Sequence, residues 1–195
     1  MKNTLLNVLQ AYVGESQARN RYDFYGKVAK KEGFEQIAAL FFEIAKQEKT
    51  HGKNFFRMYK RLHKELNEPE IEIYLDKVHV PTVFETTIDN LKAAIAGEHF
   101  ENSELYPGFA KIAEEEGFPK ISVQIRAIAK AEEHHEEIFT KLLKELEAGT
   151  VFKKDEKIWW VCLECGYIHY GKEAPKNCPS CDHPQAYFQR KSEEF

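Results

Sequence analysis

The feature that most constrains this chain of 195 residues is that most of it repeats. Displaced by 84 positions, Tyr22 meets Tyr106, Gly33-Phe34 meets Gly117-Phe118, Ile44-Ala45-Lys46 meets Ile128-Ala129-Lys130, and Phe55 meets Phe139. A period of that length marks one supersecondary unit used twice. Residues 4–64 read as two helices broken at Lys31-Glu32-Gly33-Phe34, and 86–147 as two more broken at Glu116-Gly117-Phe118-Pro119. Glycine ends a helix because it takes the left-handed conformation other residues resist, and proline suits the first turn of the next. Thr86-Thr87-Ile88-Asp89 opens the second copy in the manner of a capping box. Breaks this short make each pair antiparallel, so the expected fold is an all-α four-helix bundle. Between the copies, residues 65–85 carry Pro69, Pro81 and the extended-looking Ile71-Glu72-Ile73-Tyr74-Leu75, a long crossover. Such a connection permits closure within one chain or exchange of helices between two.

Each helix carries an apolar stripe with charged interruptions. Ile37, Phe41, Ile44, Glu48, His51, Phe55 and Met58 advance by threes and fours along one face, as do Ile121, Ile125, Ile128, Glu132, His135, Phe139 and Leu142. With 27 glutamates and eight histidines, about one Glu-x-x-His is expected by accident. Two, both in core-facing stripes and both at the repeat offset, are not. The first helix adds Glu15 to a face of Val8, Tyr12, Arg19 and Tyr22; the third adds Glu98 to Ile88, Leu91, Ile95, Leu105 and Ile112, with Glu101 one turn on. His99 and His134 point about 100° away from these faces and are not taken as ligands. Solvated glutamates and hydrogen-bonded core histidines would explain any one of these residues, but not the set. Carboxylates converging in an apolar interior must shift their pKa values or hold cations. One glutamate from each of two helices and Glu-x-x-His from each of the others is the ligand pattern of di-iron carboxylate bundles.

The cysteines lie in two Cys-x-x-Cys pairs, Cys162/Cys165 and Cys178/Cys181, separated by 12 residues. That spacing is a strong tetrahedral metal signature, and both iron and zinc accept four thiolates. The expected organisation is a bundle over 1–150 and a small metal-stapled module over 151–195. Acidic residues outnumber basic ones by 32 to 28 without long blocks of either sign, which argues against nucleic-acid or membrane partners. The N-terminus turns polar too early for a signal segment, and the cysteines sit in a ligand pattern suited to a reducing compartment, so a cytoplasmic location is expected.

Cys-Gly-Tyr at 165–167, Cys-Pro-Ser-Cys at 178–181 and the aromatics Trp159, Trp160, Tyr167, Tyr187 and Phe188 look like a rubredoxin. With Gly14-Glu15-Ser16-Gln17-Ala18-Arg19-Asn20-Arg21-Tyr22, Gln47-Glu48-Lys49-Thr50-His51, Gly97-Glu98-His99-Phe100-Glu101, Tyr106-Pro107 and Ala131-Glu132-Glu133-His134-His135, nearly the whole chain resembles the rubrerythrin family. The resemblance implies a ferritin-like bundle with two irons held by Glu15, Glu48, Glu98, Glu101, Glu132, His51 and His135. It implies a third iron, or zinc, held by Cys162, Cys165, Cys178 and Cys181. It further implies a peroxidase that reduces hydrogen peroxide to water and protects against oxidative stress. The four-cysteine iron would relay electrons from a rubredoxin or flavoprotein reductase within a homodimer, which helix exchange could interlock. Glu101 and His51 would exchange as ligands on reduction, and Tyr22 and Tyr106 would hydrogen-bond the carboxylates. The competing expectations are a ferritin-like iron-handling ferroxidase with a structural zinc module, and an oxygen-activating oxidase. Two departures from the family pattern stand out: Asp182 where rubredoxins often have glycine, and a 65–85 connection without a glycine-rich stretch.

Overall fold

The computed structural model describes residues 2–67, 72–75 and 78–192. Helices α1 (Asn3–Lys31) and α2 (Glu35–Glu65) form one hairpin. The second hairpin is α3 (Thr87–Phe100), a π-helical turn (Glu101–Leu105), α4 (Tyr106–Glu115) and α5 (Pro119–Glu147). Gly33 and Gly117, at φ of 87° and 90°, make the two tight exits, each followed by an amide that reaches back five residues, Phe34 to Ala29 and Phe118 to Ala113. The Thr86 side chain accepts from the Asp89 amide and caps α3 as expected. Of the connection, Pro69 and Ile71 lie outside the described residues. Ile73 packs against the bundle core, and residues 78–84 run without regular structure.

The hairpins are stitched reciprocally. The Glu116 carboxylate accepts from the amides of Asn3 and Thr4 and from the Thr4 hydroxyl, at 3.0, 2.9 and 2.7 Å. Glu32, its counterpart in the first hairpin, accepts from the Thr87 amide at 3.1 Å. A carboxylate at a helix N-terminus satisfies amides that the helix itself cannot and complements its dipole.

Each helix crosses one polar layer with apolar packing on both sides. Leu5, Val8, Phe55, Met58, Tyr106, Phe109, Ile121 and Ile125 form one apolar cluster. Tyr22, Tyr25, Ile37, Phe41, Ile44, Leu91, Phe139 and Leu142 form the other. Burying a large apolar side chain contributes about 1.5–3 kcal/mol, so these clusters offset the cost of the charged layer between them.

Two expected stripes need correction. In α1, Arg19 pairs with Asp23 at the surface and Tyr12 is 37% exposed; Ala11 and Ala18 take the buried positions instead. In the third helix Leu105 and Ile112 are only half-buried, and the buried line resumes one residue late at Tyr106, Phe109 and Ala113. The π turn is the reason: the Tyr106 amide bonds the Glu101 carbonyl, five residues back, which inserts one extra residue into the helix.

The C-terminal module is a three-stranded antiparallel sheet in the order β2-β1-β3, with β1 Lys153–Cys162, β2 Ile168–Glu173 and β3 Phe188–Arg190. Strand alternation turns Trp160 fully inward, where Nε1 donates to the Gly171 carbonyl at 3.0 Å, and leaves Trp159 42% exposed. The module packs against the start of α2, where Phe34 stacks on Phe152 with centroids 6.2 Å apart.

Candidate metal centres

The layer between the apolar clusters collects most of the expected ligands. Glu15, Glu48, His51 and Glu132 each offer an atom within 4.8 Å of the others, and Glu48, Glu98, Glu132 and His135 do the same. Glu48 and Glu132 belong to both groups. His51 Nδ1 stands 2.9 Å from Glu48 Oε2 and 2.9 Å from Glu132 Oε1. His135 Nδ1 stands 3.0 Å from Glu48 Oε1, 2.9 Å from Glu132 Oε2 and 3.5 Å from Glu98 Oε2. Glu15, Glu98 and Glu132 are wholly buried and Glu48 nearly so.

Two tyrosines tie the layer together across the halves. Tyr22 donates to Glu98 and Tyr106 to Glu15, so each half's phenol holds the other half's glutamate. Burial first, and then the charge of that glutamate, keeps each phenol well above its ordinary pKa, so it stays protonated and donates. Glu101 belongs to neither group. It is half-buried on the π turn, and a methyl added at Gly14 would lie 3.9 Å from its Oε1.

The protein alone does not balance this layer. Glu15 Oε2, Glu48 Oε1, Glu98 Oε2, both oxygens of Glu132 and His135 Nδ1 are buried without a well-aligned hydrogen bond. Burial and neighbouring carboxylates raise Glu15 and Glu101 well above the usual range, and Glu98 to about 8. Burial disfavours the charged imidazoles and the charged Glu48, yet their mutual contacts prevail: His135 rises to about 12, His51 to about 10, and Glu48 falls to about 2. These directions describe a cavity that demands positive charge. Gln47 Oε1 lies 2.8 Å from His135 Nε2, so it accepts from Nε2–H and aims Nδ1, where a cation would displace a proton, at three carboxylates. A nitrogen aimed at oxygens at such distances fits a cation seated between them in place of the proton. The donor set, carboxylate oxygen with two imidazoles, suits iron or a similar divalent ion.

In the module the Sγ atoms of Cys162 and Cys181 are 3.8 Å apart and those of Cys165 and Cys178 are 3.6 Å apart, with all four within 4.8 Å. The two knuckles match: the Gly166 amide donates to the Cys162 carbonyl, and the Asp182 amide to that of Cys178. Asp182 occupies the left-handed conformation at φ 59°, the role glycine takes at Gly166. The Tyr167 amide first, then neighbouring side chains, draw Cys165 down to about 6. Cys181 rises to about 12, because burial and the other sulfurs outweigh the His183 amide. A cation bound by all four would remove that disparity.

Sequence spacing offered no role for Gln47, nor for Asn102, whose side-chain amide donates to the Glu98 carbonyl at 2.8 Å and to Glu136 at 2.7 Å. Both lie off the core-facing stripes. His99 is on the surface with Glu136, 3.1 Å away, and His134 is also on the surface.

A rubrerythrin family model matches residues 7–143, and a model of the rubrerythrin rubredoxin-like domain matches 160–189. A relative from Methanocaldococcus jannaschii named for the same family is 53% identical over 195 residues, spanning all of this chain and 96% of its own. Rubrerythrin-1 of Clostridium acetobutylicum is 47% identical over 192 residues, covering 98% of this chain and 96% of that one. Among solved structures, mixed-valence nigerythrin aligns with a TM-score of 0.62 at 31% identity, covering 96% of this chain and 86% of that one.

Proposed function

Because the chain belongs to the rubrerythrin family, we propose that it is a non-haem peroxidase that reduces hydrogen peroxide to water with electrons passed through its four-cysteine site. The observation that carries this reading is that two four-residue groups share Glu48 and Glu132, the arrangement of a pair of ions joined by two carboxylates. Glu15 and His51 would complete one position, and Glu98 and His135 the other. Iron in these positions supplies two electrons at one place, and iron in the thiolate site supplies them singly.

The chain's own residues set the terms of that chemistry. Tyr22 and Tyr106 fix the orientation of Glu98 and Glu15 and keep their protons while doing so. Gln47 fixes the tautomer of His135. His51 lies inside its group while Glu101 lies outside it on the π turn, which supports the two exchanging as ligands when the site changes charge. The apolar clusters on both sides exclude water from the layer.

Electron delivery between subunits of a homodimer fits the chain's geometry. The cysteine module packs at Phe34, and Glu48 is fourteen residues further along α2, about 21 Å at the helical rise. A partner's module seated nearer the layer would shorten that path, and a reduced rubredoxin or flavoprotein would supply the module.

Anaerobically reduced, iron-loaded protein mixed with hydrogen peroxide or dioxygen in stopped flow tests the function. Reoxidation by peroxide should be at least tenfold faster than by dioxygen. Faster reaction with dioxygen would overturn the peroxidase reading in favour of an oxidase or ferroxidase. Zinc alone in the cysteine site of protein from its native cells would exclude the relay.

A further inference from the structure

Beside Glu101 the groove between α1 and α3 opens into a cavity of about 420 Å³. Val80, Val83, Ala93, Ala96, Phe100 and Leu105 line it with apolar surface, and Gly14, Gly97 and Glu101 adjoin it. Residues 78–83 are held alongside by two hydrogen bonds, Gln17 Nε2 to the His79 carbonyl at 3.4 Å and the Tyr25 hydroxyl to the Val83 carbonyl at 2.7 Å. A methyl added at Gly97 would meet nothing within 4 Å.

Hydrogen peroxide needs little more room than water, whose share of the liquid is about 30 Å³. The groove exceeds that more than tenfold and falls within the roughly 300–1,000 Å³ of pockets that take organic ligands. We propose that it takes organic hydroperoxides, with the alkyl or aryl group against the apolar wall and the O–O group at the Glu101 face of the carboxylate layer. The inference rests on the peroxide reduction proposed above and adds a substrate class to it. The RO–OH bond would break with uptake of two electrons, which iron held by the carboxylate layer would supply, and two solvent protons (H+), giving the alcohol ROH and one water molecule.

Two measurements on the full-length, iron-loaded protein test it. The reduced protein is mixed in stopped flow with hydrogen peroxide and with cumene hydroperoxide. The oxidised protein is titrated calorimetrically with 2-phenyl-2-propanol, the unreactive alcohol product. Gly97→Leu, which fills the groove, should lower the ratio of the cumene hydroperoxide rate to the hydrogen peroxide rate at least tenfold and abolish alcohol binding. Ala96→Phe, from an exposed groove position, should do the same if Gly97→Leu disturbs the helix. An unchanged ratio in both variants, or no alcohol binding to the parent protein, overturns the groove proposal while leaving hydrogen peroxide reduction standing. Failure of the parent protein to react with either peroxide removes both.

Discussion

Replacing Glu116 with alanine should cost about 1–2 kcal/mol of stability, although the residue touches neither candidate metal site. Its carboxylate closes the first turn of α1 through three hydrogen bonds, two of them to backbone amides. Losing such a cap typically costs about 0.5–2 kcal/mol, and losing a negative charge beside a helix N-terminus about 0.3–1 kcal/mol. For a chain of this size that lowers the melting midpoint by about 2–8 °C. Glu32→Ala should cost less, about 0.5–1 kcal/mol, because a single amide at 3.1 Å is involved. Circular dichroism melts of metal-saturated protein at pH 7 would show the order parent, Glu32→Ala, Glu116→Ala. Burial works against the Glu116 charge, but the Thr4 and Asn3 contacts and Lys2 prevail and hold its pKa below the ordinary value. A carboxylate depressed in the folded state stabilises fully above its unfolded pKa, about 4.3, and loses that contribution as pH falls through the folded value. The gap between the parent and Glu116→Gln should therefore be full at pH 7 and close below about pH 4. A Glu116→Ala shift under 1 °C, or a gap that widens on acidification, would refute the clamp.

Gln47→Ala frees the Nε2 side of His135 and should weaken metal retention about 10- to 100-fold in chelator competition; unchanged retention would remove Gln47 from the site. Tyr106→Phe leaves Glu15 Oε1 buried without its donor, at a cost of about 1–3 kcal/mol, visible as a lower unfolding midpoint. If Tyr106→Phe melts with the parent, the phenol is only packing. His51→Ala should spare the fold but slow reoxidation by peroxide, and an unchanged rate would sink the ligand exchange with Glu101. Cys178→Ser should abolish electron relay while leaving the bundle metals in place, measured by metal content and by reduction through an external donor.

How much of this could be read from the chain follows from where the information sits. The two Glu-x-x-His motifs were legible because a helix repeats every 3.6 residues and the duplication repeats the pattern. Asp182 was legible for a local reason, since a left-handed position depends on its own residue. The stripe through Tyr12 and Arg19 misleads because small alanines pack closest between helices and hydropathy ranks them below larger neighbours, and the one through Leu105 and Ile112 misleads because the π turn shifts the helix by one residue. The π turn does leave a trace in the sequence: Glu15 and Glu98 differ by 83 positions, whereas Tyr22 and Tyr106 differ by 84. The extra residue must lie between Glu98 and Tyr106, where the π turn is found. Gln47 left no such trace, because its contact with His135 spans 88 residues and depends on how α2 and α5 dock.

Had both hairpins stayed in step, the dinuclear pocket would be a palindrome, its two ends alike in shape and charge. One inserted residue gives it a front and a back. At the back stand Glu98, pinned by the Tyr22 phenol, and His135, both buried. At the front, the wound-out turn presents a fifth carboxylate, Glu101, beside the groove. Duplication supplied the vessel, and a single-residue slip gave it a mouth.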